Sequence, residues 1–70
     1  MMFIVTVVAE YSDGSDMAQR INLTAPNILM AQHDAIQYVI NEAAKCSMTV
    51  SSIPEISARE VVEIEGRIIP

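Results

Sequence analysis

The sequence predicts an α+β fold: two antiparallel strands, one helix and a third strand, ββαβ, in a three-stranded antiparallel or mixed sheet with the helix on one face. Three observations predict it. Residues 2–9, Met-Phe-Ile-Val-Thr-Val-Val-Ala, hold one polar residue and five β-branched ones, Ile4 to Val8. Residues 17–24 alternate apolar and polar. Residues 28–46 place apolar side chains at helical spacing.

β-branched side chains are stiff at χ1 and suit a pleated surface. A run as apolar as 2–9 has little to show to water on either face, so it predicts a central strand with neighbours on both sides. Phe3, Val5, Val7 and Ala9 then face the helix, and Met2, Ile4, Thr6 and Val8 face away. Glu10 to Asp16 follows, with Asp13-Gly14 as a hairpin signal, because glycine accepts positive φ and aspartate tolerates it. Asp13 and Asp16 have the look of a fragment of a calcium loop. The remaining oxygen ligands and terminal glutamate of that loop are missing, so the stretch reads as a polar turn and no metal is expected.

In 17–24, Met17, Ile21 and Leu23 share one face with a single misfit, Gln19, while Ala18, Arg20, Asn22 and Thr24 share the wet face. Thr24 or Asn27 is suited to cap a helix, with Pro26 in its first turn, where no N–H is needed. The helix should run to Lys45 or Cys46. Ile28, Ala35, Ile36, Val39, Ala43 and Cys46 form its apolar stripe, with Gln32 near the middle, and Asp34, Gln37, Asn41 and Lys45 lie opposite. Residues 46–57 read as a loop with one short strand at 48–50, Pro54 inside it, and Ile53 and Ile56 pinning it across the helix end. Residues 58–69 predict the last strand. There Val62, Ile64 and Ile68 share one face, Arg59, Val61, Glu63, Glu65 and Arg67 the other, and Gly66 marks a bulge. A right-handed crossover puts this strand parallel to the second and beside the first, in order 2-1-3.

Seventy residues make one domain. A chain of that size buries only about 60% of its unfolded surface, yet 51% of these residues are hydrophobic. Apolar surface should therefore be left over, and self-association or a protein partner would use it. Ile4, Val8 and Val61, on the sheet face away from the helix, are the expected homodimer interface. The formal net charge is −5, which opposes direct binding to nucleic acid or to anionic membranes. The single cysteine, Cys46, forms no internal disulfide. The N-terminus lacks a basic signal region and its apolar run is too short to span a bilayer. A cytoplasmic protein is expected.

Chemistry-bearing residues are sparse. His33 is the only histidine. It and Asp34 are adjacent on the helix and point about 100° apart, so they cannot form a dyad with each other. Cys46, at the negative end of the helix, reads as a small hydrophobe. No catalytic residue, metal ligand or cofactor is assigned, and an enzyme is not expected. Tyr11 and Tyr38 are the residue types that anchor interfaces, and either equally well caps a core edge. Tyr11 with Asp13, Asp16, Glu60, Glu63 and Glu65 is the candidate partner-binding surface. Glu63 and Glu65 should lie about 7 Å apart along a strand, close to a phosphate repeat. Arg59 and Arg67 on the same face favour ordinary cross-strand pairs instead.

The run from Arg20 to Ile36, Arg-Ile-Asn-Leu-Thr-Ala-Pro-Asn-Ile-Leu-Met-Ala-Gln-His-Asp-Ala-Ile, resembles the strand-to-helix passage of small phage and bacterial ββαβ proteins. These place a small residue after an alternating strand and alanines on the first helical turns, here Ala25, Ala31 and Ala35. Some phage anti-CRISPR proteins share this size, acidity and layout. The resemblance is one of layout and carries over no functional residue. It implies a small inhibitor that binds a host defence complex in the host cytoplasm. The alternative is a homodimeric structural or assembly module.

Overall fold

The computed structural model describes residues 1–64 and 67–69, with side chains through residue 62. Its elements are β1 (Met2–Tyr11), β2 (Asp16–Thr24), α1 (Ile28–Lys45), β3 (Val50–Ile64) and β4 (Arg67–Ile69). The sheet order is β2-β1-β3-β4. The 2-1-3 arrangement expected from sequence is present. β1 lies antiparallel to both β2 and β3, and β4 continues the sheet by pairing with the far end of β3, Val62 opposite Ile69.

β1 alternates as its sequence requires. Phe3, Val5, Val7, Ala9 and Tyr11 are buried toward the helix, and Val5 and Val7 are fully so. Ile4, Thr6 and Val8 are half-buried on the other face. The hairpin after β1 is a three-residue loop. Tyr11 C=O accepts from Gly14 N–H at 3.0 Å and Tyr11 N–H donates to Ser15 C=O at 2.8 Å. Gly14 has φ +89°, a conformation closed to most L-residues, which explains the glycine at this position.

The helix is closed at both ends by side-chain and backbone caps. Asn27, in extended conformation, accepts from Met30 N–H at 2.9 Å through its side chain, a contribution of about 1 kcal/mol. Pro26 thus precedes the cap rather than occupying the first turn. At the C-terminus Met48 N–H donates to Ala43 C=O at 2.8 Å and Ser47 N–H to Ala44 C=O at 3.0 Å. Ser47 takes φ +57° to permit this, at a local cost of about 1–2 kcal/mol for a residue with a Cβ.

The packed stripe of α1 is Ala31, Ala35, Val39 and Ala43. Three alanines let the helix approach the sheet closely, and the volume of the core is supplied by Phe3, Val5, Val7 and Tyr11 from below. Two expected stripe members are corrected. Ile28 is 44% exposed and Cys46 is exposed, because they occupy the first position and the cap, where the helix extends past its buried residues. Ala31, one turn inside, takes the place expected of Ile28.

The segment 46–57 is corrected more substantially. Strand β3 begins at Val50, so most of the expected loop is sheet. The register slips between Val8/Glu55 and Glu10/Ser52 and again before Tyr11/Val50. The extra residues bulge out of β3, and a bulge tolerates Pro54, which has no N–H to donate. Ser51 Oγ donates to Glu10 C=O across this irregular pairing at 3.0 Å. Ile53 and Ile56 do pack on the core, as strand residues. The single last strand expected over 58–69 is corrected: β3 ends at Ile64, and Arg67–Ile69 form a separate strand antiparallel to it, with Glu63 opposite Ile68 and Ile64 opposite Arg67. The faces expected for Glu63, Ile64, Arg67 and Ile68 lie outside the described side chains, and Glu65 and the bulge at Gly66 lie outside the described residues.

Candidate interaction surfaces

Among the described side chains, the acidic residues proposed from sequence divide between the two ends of the sheet. Asp13 lies in the hairpin loop and Asp16 pairs with Glu10 beside it. Glu60 pairs with Phe3 at the opposite end of β1, seven residues or about 23 Å away by strand rise. The expectation failed because it placed the last strand without its register. Glu63 and Glu65 lie outside the described side chains. Among described residues, Glu10, Asp13, Asp16 and Glu55 share the hairpin end of the sheet. Asp13 is engaged locally: the hydroxyl of Ser15 and then its backbone N–H donate to the carboxylate and hold its pKa below the usual value. No group of three or more His, Cys, Asp and Glu among the described residues is arranged to hold a metal ion.

Tyr11 is 5% exposed and belongs to the core, so its ring is not available to a partner. Alternation along β1 turns it to the helix side with Val7 and Ala9. Tyr38, by contrast, is 48% exposed on α1. His33 and Asp34 do meet: Nδ1 and Oδ1 are 3.4 Å apart. Adjacent helical residues diverge at Cβ, but both side chains are exposed and free to lean together. A long, solvated contact of this kind contributes little.

Among the described residues, no element packs over the sheet face away from the helix at Ile4 and Val8. Ile4 and Val8 are half-buried there. Val61, expected beside them, is 7% exposed, and this is a correction. It pairs with Met2 and is buried by the chain itself, so it offers little surface to a second copy. Val62, one residue further and past the last β1 pair, is 48% exposed.

The larger concavity lies on the other side. Helix α1 packs over β1 and β3 and only lightly touches β2. This leaves a groove of about 580 Å³ between the helix and the edge strand. Gln19, Ile21 and Leu23 of β2 form one wall, and Asp34 and Tyr38 of α1 the other. Ile21 and Leu23 are only half-buried, so the groove presents apolar surface with a phenol and a carboxylate at its rim. Strand β2 terminates the sheet, and an edge strand carries a row of backbone N–H and C=O groups without strand partners. Sequence reasoning passed over this site. Its one available signal was Gln19, an amide on an otherwise apolar strand face, which marks a face that the helix does not fully cover.

No protein family, curated protein or solved structure matches the chain. No helix among the described residues is long and apolar enough to cross a membrane.

Proposed function

We propose that the protein is a small acidic binding protein that acts, without catalysis, by docking another protein against β2 and the groove beside it. The observation that supports this reading is the juxtaposition of an uncovered edge strand with a half-apolar groove. An added strand would gain main-chain hydrogen bonds from β2, and its alternate side chains would enter the groove past Tyr38 and Ile21. In its narrower form, following the resemblance in layout, the target is a host defence complex and the protein is a phage-encoded inhibitor. A second reading, a homodimeric assembly module, is favoured by half-buried Ile4 and Val8, which project from β1 to the same outer sheet face on either side of Thr6.

Tyr38→Ala tests the first reading. The side chain is 48% exposed, so truncation should leave the melting temperature unchanged, while a partner captured by the wild-type protein should bind about tenfold more weakly or worse. Equal affinity of the folded variant for the same partner would remove the groove from the binding surface. For the narrower form, expression of the protein in a host with an active defence complex should raise phage plating, and unchanged plating would reject it.

A further inference from the structure

Two of the chain's four basic residues stand on the sheet face away from the helix. Thr6 pairs with Arg20 on one side and with Ser57 on the other, and Ile4 pairs with Arg59. Directly paired residues project to the same face, so Arg20, Thr6, Ser57 and Arg59 share it. They enclose a hollow of about 300 Å³ that is also lined by Ile4 and Ala58. From strand spacing and rise, the two arginine Cα atoms lie about 12 Å apart, a span that two extended guanidinium side chains close from opposite sides.

The electrostatics of the site are unusual for this chain. Its net charge is −5, yet among the described residues neither arginine has a carboxylate at ion-pair distance. Among the described side chains, the acidic residues of the same face, Glu10 and its partner Asp16, and Glu55 beside Val8, lie toward the hairpin end. The hollow therefore gathers two planar five-donor forks and two hydroxyls, with an apolar floor at Ile4. Guanidinium forks match the paired oxygens of phosphate and carboxylate, and hydroxyls supply donors to the oxygens that remain.

We propose that this hollow is an oxyanion-binding site, in which Arg20 and Arg59 clamp a phosphate or carboxylate group over the hydroxyls of Thr6 and Ser57. The bound group is a single oxyanion: an extended polyanion would meet the acidic remainder of the surface, whereas one phosphate or carboxylate meets only the clamp. The group comes either from a free anion or from the Glu55 carboxylate of a second copy. Arg20, on the edge strand, also lines the groove beside β2, whereas Thr6, Ser57 and Arg59 line this hollow alone, so the site does not depend on the reading of β2 as a docking edge and Arg59→Gln tests it apart from the groove.

The test is a backbone-amide NMR titration with inorganic phosphate and, separately, with glutarate, at constant ionic strength set by chloride. The expected result is saturable shifts centred on Thr6, Arg20, Ser57 and Arg59 with about millimolar affinity. Arg20→Gln and Arg59→Gln should each weaken binding about tenfold while keeping the spectrum of a folded protein, since both side chains are exposed. If the second copy is the source, the same amides shift with protein concentration before any anion is added, and Glu55→Gln removes that dependence. The proposal is overturned if neither anion gives saturable shifts at these residues and the spectrum is independent of concentration. It is equally overturned if the two glutamine variants bind either anion as well as the wild type.

Discussion

Val5→Asp is expected to abolish folding. Val5 is 0% exposed, at the centre of the middle strand, with Ile21 and Ala58 paired on either side. The helix closes over it, and no buried polar or charged residue is present among the described core to receive a carboxylate. The substitution removes about 1.5–3 kcal/mol of valine burial and adds the cost of burying an unpaired acid, several kcal/mol even after the group protonates. A domain of 70 residues has about 4–10 kcal/mol of stability in total at the usual value per residue. The variant should lack a cooperative thermal transition by circular dichroism. A soluble variant that melts cooperatively would show that β1 is not the central strand.

Ala35→Trp should have the second largest effect. Ala35 is 0% exposed in the middle of the helix stripe, where small side chains set the distance between α1 and the sheet. An indole at that position has no cavity to enter. Its volume forces the helix away from Val5 and Val7, or forces neighbouring side chains off their rotamers, at a cost of about 1–3 kcal/mol or more. For a domain of this size, each kcal/mol lowers the melting temperature by about 4–8 °C, so a fall of about 10 °C or more is expected. Wild-type melting would mean that another face of the helix is the packed one.

The parts of the fold legible in sequence are those where period and burial coincide. In β1 the period-2 geometry of a strand separates Phe3, Val5, Val7 and Ala9 from Ile4, Thr6 and Val8, and the structure buries the first set against the helix as expected. The helix was legible through Ala35, Val39 and Ala43, but not at its ends, where Ile28 and Cys46 have the right angular position and no sheet beneath them. Residues 50–57 were opaque because Pro54 and three serines suppress strand signals, and because bulges break the period-2 pattern that would have revealed β3. Bulges depend on the partner strand, which a local pattern does not contain. The same blindness to register scattered the supposed acidic surface: Asp13 and Glu60 are on opposite ends of β1. Tyr11 was ambiguous between core and partner because it closes an alternating run at the strand end, and its burial depends on the loop after α1 folding back, where Ser12 N–H donates to Thr49 C=O at 2.9 Å. The groove beside β2 arises from where the helix axis crosses the sheet, a quantity set by packing over β1 and β3 rather than by any residue of β2 itself.

The central claim is that β2 is an open edge, ready to receive a strand, while β1 is paired on both sides. Residue-resolved amide hydrogen exchange of the isolated protein at low concentration tests it most directly. The amides of β1 should be uniformly protected, and those of β2 should alternate, with amides bonded to β1 slow and the intervening, outward-pointing ones fast. Uniform protection along Asp16 to Thr24 would contradict the account, because it would mean that the edge is already covered and that no partner can dock there by strand addition.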